Sequence, residues 1–565
     1  MNEYAVYHQP ESRFAYALDP NTLSITLRVA ASDKLDSVEI LYNTKYDFTR
    51  ERFTVPMHVS ACDGKFSYYR AVVRLTDVRF AYVFRITEKG KTYYYSEDGL
   101  LDDYDFDLAY YTFFQFPFIN AVDVMPVVGW VSDATFYQIF VDRFARGDFD
   151  KDDGYINTPW NGEIDRHSFT GGDLDGITEK LDYLFDLGIT ALYLTPVFLS
   201  SSNHKYNVKD YLRVDPQFGD TEKLLRLIRA AHDRNMKVVI DCVFNHCDAE
   251  HEIFADVVKR GRKSKYYDWF LTDGVPDIEK GNYACFARCK RMPKWNTSNA
   301  AVRRYLIDIA LEYVSLGFDG LRLDVADEIS HDMWRQLRRE IKAAAPDTLI
   351  IGEIWHDNEH WLRGDQFDGV MNYKLQKILI DGFGKDPVRA TVVSERMNKL
   401  LVANLEQANA MALNFLDNHD TPRFLRLAGG NKDKLLCAFV AAVMFPGMPC
   451  VFYGTELPLD GDGDPDCRKP FDWMKANQNE AYLQNVKAIL GLKKQAALSG
   501  GNATVSACGD ILTITRRGGG ECVTAYFNIG KKSAKLAVSG KILFSLSYGD
   551  DTIFGNGVLV VKNNN

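Results

Sequence analysis

At 565 residues the chain is too long for one ordinary hydrophobic core, so roughly two to four domains are expected. Its 46% apolar and 25% charged residues exclude a disordered chain, and a formal net charge of −10 argues against nucleic acid or an anionic membrane as partner. A neutral ligand suits it better. The aromatic share of 13% fits rings stacking on pyranose faces, although barrel cores use aromatics too.

Met1 to Pro10 lacks a basic start followed by an apolar run, so no secretory signal is expected. Residues 1–120 alternate apolar and polar in short runs such as Leu23 to Arg28 and Val38 to Tyr42, with turns at Asp63-Gly64 and Lys89-Gly90. That alternation predicts an N-terminal β-sandwich. A joint from Phe116-Pro117 to Pro126 leads into a different pattern, in which short apolar strands alternate with amphipathic helices. Strands are predicted at Phe136–Phe140, Ala191–Leu194, Val238–Asp241, Leu321–Leu323, Leu349–Ile351, Gly369–Met371, Ala412–Phe415 and Cys450–Tyr453. They imply an α/β fold, a (β/α)8 TIM barrel over residues 121–499. The helix Thr221–Asn235 shows the pattern, with Leu224, Leu225, Leu227, Ile228 and Ala231 in one stripe and Arg226, Arg229 and Arg234 on the wet face.

The stretch from about 246 to 299, after strand 3, is too long for an ordinary loop and reads as a small inserted domain walling the site. Cys437 to Tyr453 is the longest apolar stretch, but Pro446, Gly447 and Pro449 break it into a buried helix and a strand rather than a membrane span. Residues 500–565 return to β alternation and predict a C-terminal β-sandwich. The ten cysteines are scattered singly, as buried thiols in a reducing compartment are, so the cytoplasm is the expected address. Cys247, Cys285 and Cys289 could suggest a zinc knuckle, but no second matching pair follows.

Four segments carry the chemistry. They contain Asp241, Asn245 and His246; Gly320, Arg322 and Asp324; Gly352, Glu353, Trp355 and His356; and Asp417, His419 and Asp420. Asp241, Asp324, Glu353 and Asp420 fall at or just past the C-terminal ends of predicted strands, where barrel enzymes gather their reactive groups. Taken singly, an Asp after a strand is more often a helix cap, Arg322 and Asp324 could be a structural ion pair, and His246 and His419 could be satisfied structural histidines. Jointly they interlock. Arg322 and Asp324 share one side of a strand, because side chains alternate with period two, so the guanidinium should favour an ionised Asp324. Glu353 needs the opposite treatment, kept protonated by apolar walls and a neighbouring carboxylate. One carboxylate as nucleophile and one as general acid is the equipment of glycoside hydrolysis.

These motifs resemble the conserved regions of glycoside hydrolase family 13, the α-amylase family. Further segments resemble its neopullulanase, cyclomaltodextrinase and maltogenic amylase branch: Met292 to Asn296, His204 to Tyr211, Asp464 to Pro470, and the N-terminal stretch with His8 and Phe14 to Ala17. The resemblance implies Asp324 as nucleophile, Glu353 as acid/base and Asp420 as the carboxylate gripping the reacting sugar. It implies that His246 and His419 hydrogen-bond that sugar, with His204 also in the binding site, that Arg322 orients Asp324, and that Tyr206 stacks beneath the ring. Asp464 and Arg468 would hold the next glucose on the non-reducing side, Phe286 and Trp355 would line the leaving-group side, and Asp241 and Asn245 would be scaffold.

The chain departs from the branch at Leu321 (usually Trp) and Asp327 (usually Asn), which leaves transglycosylation and α-1,6 cleavage open, and also at Asn207 (usually Asp). Residues 146–152 resemble a calcium loop of relatives, with Asp148, Asp152 and Asp173 as candidate ligands. Arg146 and Lys151, however, stand where Asn is common. No cofactor is required by this reading; calcium is possible, and a lysine ammonium could replace it. The implied activity is a retaining α-glucan hydrolase for cyclomaltodextrins and short maltodextrins, in a homodimer built through the N-terminal domain. A transglycosidase using the same intermediate and a non-catalytic carbohydrate-binding protein are the alternatives.

Overall fold

The computed structural model describes all residues except 48–51, 106–110, 148–150, 479, 480 and 565. The N-terminal part folds into two antiparallel sheets. One is ordered Ala15–Asp19, Thr22–Ala30, Phe66–Arg74, His58–Cys62; the other Phe53–Pro56, Ser37–Thr44, Phe80–Glu88, Lys91–Ser96, Gly99–Leu101, with Phe114–Phe116 also pairing Phe80–Glu88. Leu23, Ile25, Leu27 and Val29, two apart along one strand, all turn inward and share a core with Ile40, Phe80, Tyr82, Phe84 and Ile86. This is the expected sandwich.

The central sheet is parallel. Its strands, numbered here β1 to β8, are Phe136–Ile139, Ala191–Leu194, Lys237–Cys242, Gly320–Leu323, Leu349–Gly352, Gly369–Val370, Leu413–Phe415 and Met448–Phe452. The hydrogen-bonded order is β6-β5-β4-β3-β2-β1-β8-β7, and a parallel bridge from Met371 to Leu413 joins β6 to β7 and closes the ring. All eight predicted strands are present. They read as continuous apolar runs because the barrel interior covers one face and helices the other. The helix Thr221–His232 buries Leu224, Leu227, Ile228 and Ala231, with Asp220 capping it through the Lys223 amide. Leu225 is only half-buried, and the helix stops three residues early, where Asn235 takes a positive φ.

Between β3 and the helix Ala300–Ser315 the chain makes the helix Glu252–Arg260 and several short turns around an aromatic nucleus. Phe270 stacks on Trp295 at 4.7 Å and meets Phe254 edge-on at 4.8 Å. A bridge from His246 to Lys294 folds this excursion back over the end of β3. The C-terminal strands, from Asn502–Cys508 to Thr552–Asn564, join into one antiparallel sheet of six among the described residues, where a sandwich was expected. The barrel itself supplies the second layer: Leu512, Ile514, Phe527, Val558 and Val560 belong to the same core as the barrel helices. All ten cysteines are free thiols, and no described helix is long and apolar enough to cross a membrane.

Candidate active site

β3, β4 and β5 end side by side, and their ladder continues one residue past each strand: the Asp324 amide donates to the Cys242 carbonyl (3.1 Å) and the Glu353 amide to that of Leu323 (2.9 Å). Three carboxylates therefore converge on Arg322, which is 1% exposed. Its Nη1 lies 2.8 Å from Asp241 Oδ1 and 2.8 Å from Asp324 Oδ1, and its Nη2 lies 3.0 Å from Glu353 Oε2. The last contact is electrostatic, since Nη2 makes no aligned hydrogen bond. Gly352 precedes Glu353 because a Cβ there would come within 2.5 Å of the Phe367 ring.

Arg322 does not hold Asp324 low, as the sequence suggested. Burial pushes the Asp324 carboxyl well above its ordinary range; Arg322 opposes this, while Glu353, Asp241 and Asp420 add to it. Asp241 is raised by burial against the pull of Arg322 and two tyrosine hydroxyls, and Asp420 by burial against Arg468 and Arg322. The physical reason is number. One guanidinium cannot offset several buried carboxylates, so burial outweighs pairing at each of these three aspartates.

Glu353 is held by three donors: the Val325 amide on Oε2 (3.0 Å), and Trp355 Nε1 (3.1 Å) and the Tyr373 hydroxyl (3.2 Å) on Oε1. Val325, directly after Asp324, has φ 46° and ψ 46°. That left-handed conformation is costly for a β-branched residue, and it aims the amide at the carboxylate. Trp355 is 51% exposed and lies flat on Tyr373, with ring centroids 3.8 Å apart.

On the other side, Tyr206 and His419 stack nearly parallel at 5.2 Å. The Tyr206 hydroxyl donates to Asp241 Oδ2 (2.6 Å), as does that of Tyr193 (2.7 Å). The Gln138 amide nitrogen donates to His419 Nδ1 (2.8 Å), so Nε2 carries the hydrogen and points to the Tyr206 oxygen (2.6 Å) and Asp420 Oδ2 (3.2 Å). Burial drives His419 well below its usual range, so it is neutral. Arg468 donates to the His419 carbonyl (2.6 Å) and to Asp420 Oδ1 (3.4 Å), and pairs with Asp464 Oδ1 (2.9 Å). Asp420 is the most open carboxylate of the group, its side chain 33% exposed.

His246, pushed down to about 3 by burial, donates from Nε2 to the Tyr206 carbonyl (3.1 Å) and stacks on Phe286 at 4.7 Å. Its Nδ1 lies 3.4 Å from the Asn245 amide, so both ring nitrogens already face protein. His204 Nδ1 accepts the Tyr206 amide (3.1 Å) and braces the same residue from the other side. Asn207 ties its loop to Asp248 (2.5 Å). Asp327 faces His356 Nε2 at 3.0 Å, and Glu328 faces Lys294 at 3.0 Å.

The twelve residues expected to catalyse or bind substrate fall in one neighbourhood. Sequence reading missed Tyr193, Gln138, Tyr373 and Val325. Tyr193 and Gln138 sit in the predicted strands β2 and β1, so their positions inside the barrel were available; the Val325 backbone and the Tyr373 stack left no such signal.

The calcium-like loop is different. Lys151 Nζ lies 2.5 Å from Asp173 Oδ2, 2.8 Å from the Gly171 carbonyl and 3.4 Å from that of Gln217. Asp173 Oδ1 meanwhile accepts the amides of Gly147 (3.0 Å) and Gly176 (2.7 Å), and Asp152 Oδ1 accepts that of Gly154 (2.9 Å). An ammonium among these oxygens does not fit a divalent ion, and no cluster of three metal-ligating side chains occurs among the described residues. Asp148 lies outside the described residues.

Fold and site together show a parallel barrel with carboxylates gathered at its strand ends around one guanidinium. Residues 138–496 match the alpha amylase catalytic domain and residues 1–120 the alpha amylase N-terminal ig-like domain. The chain therefore belongs to the α-amylase family. It is 39% identical to a cyclomaltodextrinase of Geobacillus thermopakistaniensis over 97% of this chain and 96% of that one. It is 38% identical to neopullulanase 2 of Thermoactinomyces vulgaris over 88% and 86% of the two chains. A solved cyclomaltodextrinase structure superposes with a TM-score of 0.91 at 35% identity, covering 100% of this chain and 98% of the other.

Proposed function

We propose that the protein is a retaining α-glucan hydrolase that cleaves α-1,4 bonds of cyclomaltodextrins and short maltodextrins. The observation that carries this reading is the single buried guanidinium of Arg322 touching both Asp324 and Glu353. The substrate class is supported by the cyclomaltodextrinase and neopullulanase relatives.

In the first step an Asp324 oxygen bonds to the anomeric carbon while the bond to the glycosidic oxygen breaks and Glu353 gives that oxygen its proton. In the second, Glu353 takes a proton from water, whose oxygen replaces Asp324 at the same carbon. Two displacements leave the configuration as it began. The first step needs an ionised Asp324 as nucleophile and a proton on Glu353 to give to the departing oxygen. Val325, Trp355 and Tyr373 orient Glu353. Asp420, with Arg468 behind it, takes the hydroxyls of the reacting sugar. Tyr206 offers a ring face held by His246, His204 and His419. Phe286 and Trp355 line the departing side, and Asp464 with Arg468 the other.

The enzyme acts as a homodimer in the cytoplasm. Phe53 of the N-terminal sheets and Tyr4 in the turn before them, 65% and 89% open, support the first part, and an intracellular maltogenic amylase of Bacillus subtilis at 37% identity supports the second. The deciding experiment follows anomeric products by NMR beside initial rates on β-cyclodextrin, pullulan and soluble starch, with light scattering for mass. An α product and faster β-cyclodextrin than starch cleavage are expected; a β product or a starch-preferring monomer overturns the reading.

A further inference from the structure

The last backbone rung between β4 and β5 is the Glu353 amide on the Leu323 carbonyl (2.9 Å). Beyond it, among the described residues, no backbone hydrogen bond joins the two loops that follow these strands. Those loops begin with Asp324 and Glu353, so other contacts must fix how the two carboxylates sit relative to each other. One tie is the Val325 amide on Glu353 Oε2 (3.0 Å). A second lies further out, where His356 Nε2 donates to Asp327 Oδ2 (3.0 Å). Asp327 stands three residues past Asp324 and His356 three past Glu353, so this outer tie spans the two reacting groups symmetrically.

Each half of the outer tie is anchored from behind. Asp327 lies in the short turn Ala326–Glu328, which is closed by the Glu328 amide on the Val325 carbonyl (3.2 Å). Glu328 pairs with Lys294 of the inserted segment (3.0 Å), and the Ala326 carbonyl accepts Trp334 Nε1 (2.9 Å) from the helix His331–Ala344. On the other loop, His356 Nδ1 lies 3.0 Å from the Asp357 carbonyl, and the ring meets the buried Trp361 edge-on at 5.8 Å. A carboxylate only accepts, so the His356 N–H has one way to point.

Trp355 carries the coupling inward. It stands between Glu353 and His356 in the chain, donates its indole N–H to Glu353 Oε1 (3.1 Å) and, though exposed, keeps its ring flat on Tyr373 at 3.8 Å. Releasing His356 frees the segment that holds Trp355, and with it one of the three donors on Glu353. An ion pair this open adds little to stability, so its worth is geometric. Displacing a reacting group by about 1 Å can cost about 10²-fold in rate.

We propose that Asp327 and His356 act as one positioning pair, which clasps the loops past β4 and β5 and so holds the Glu353 proton against the oxygen leaving the carbon that Asp324 attacks. This rests on the roles given to Asp324 and Glu353 above. The pair works through Trp355 and the two loop backbones rather than on the sugar itself.

The test is a double-mutant cycle on the full-length protein, reading kcat, KM and Tm with β-cyclodextrin and with 4-nitrophenyl maltoside. Asp327→Ala and His356→Ala are each expected to lower kcat on β-cyclodextrin about tenfold, with KM within about twofold and Tm nearly unchanged. The double variant should lose no more than the poorer single one. The aryl maltoside should lose less, because its leaving group needs little protonation. Asp327→Asn, whose amide oxygen still accepts from His356 Nε2, should keep kcat within about threefold. The proposal is overturned by an unchanged kcat, by losses that multiply in the double variant, by a loss in KM alone, by equal losses on both substrates, or by an Asn variant as slow as the Ala one. Glu353→Gln separates this proposal from the reading beneath it. If that variant leaves β-cyclodextrin hydrolysis intact, the acid assignment fails; if it abolishes hydrolysis while the cycle shows no coupling, the positioning pair alone fails.

Discussion

Arg322 and Lys151 are both buried cations on loops and strands of one barrel, yet their surroundings differ. Arg322 touches three carboxylates, Asp241, Asp324 and Glu353; Lys151 touches one, Asp173, and two backbone carbonyls among the described residues. The first site gathers more carboxylates than its one guanidinium can offset. At the second, Asp173 meets Lys151 with one oxygen and two backbone amides with the other, so its charge is balanced. Surplus is what lets a group change protonation during a reaction; balance is what holds a loop in place.

The largest expected effect breaks the surplus. Asp324→Asn should lower the rate on β-cyclodextrin by about 10³-fold or more while stability is kept or gained, because a crowded buried charge is removed. Activity near wild type in that purified variant would refute the nucleophile assignment. Glu353→Gln should lose about 10²- to 10⁴-fold on maltodextrins and much less on aryl maltosides, whose leaving groups need little protonation. Equal losses on both substrates would remove Glu353 from the acid role.

Lys151→Met sharpens the comparison from the balanced side. It strands Asp173 in the interior and should cost about 3–5 kcal/mol in denaturant unfolding, with activity per folded molecule unchanged. A neutral effect on stability would mean the pair is not the loop's anchor.

Protons give the next contrast. His8, in the N-terminal sandwich, is pushed down to about 3 by burial, from an unfolded value near 6.5. The unfolded chain binds the extra proton, so stability falls as pH drops below 6.5, by up to about 2 kcal/mol at pH 5. His204, His246 and His419 at the catalytic end are lowered in the same way, while raised carboxylates such as Asp324 act with the opposite sign, so the His8 contribution is read by substitution. His8→Gln should remove about 2 kcal/mol of the stability lost between pH 7 and pH 5 in denaturant unfolding; an unchanged pH dependence would contradict this.

The smallest expected effect is that of a chelator, which should move Tm by less than about 1 °C because an ammonium holds the calcium-like loop. A fall of many degrees reversed by calcium would show that Asp152 and Asp173, with Asp148, bind the ion after all.

The eight barrel strands, the N-terminal sandwich and the neighbourhood of the twelve catalytic and binding candidates were legible in the residues themselves. Strand periodicity is local, and a carboxylate closing an apolar run keeps its place at the strand end wherever the strand goes. The single C-terminal sheet was not legible, because alternation says that one face is buried but not whether a second sheet or a barrel helix covers it.

What the sequence determined, then, is which chemical groups stand at which strand ends, since covalent order and period-two alternation suffice for that. Only the tertiary structure decided how those groups share charge. The rise of Asp324 despite Arg322 depends on how many carboxylates burial brings around one guanidinium, and the pairing of Lys151 with Asp173 on where the Lys151 stem reaches. Each is a sum over neighbours in space, and no local pattern along the chain encodes it.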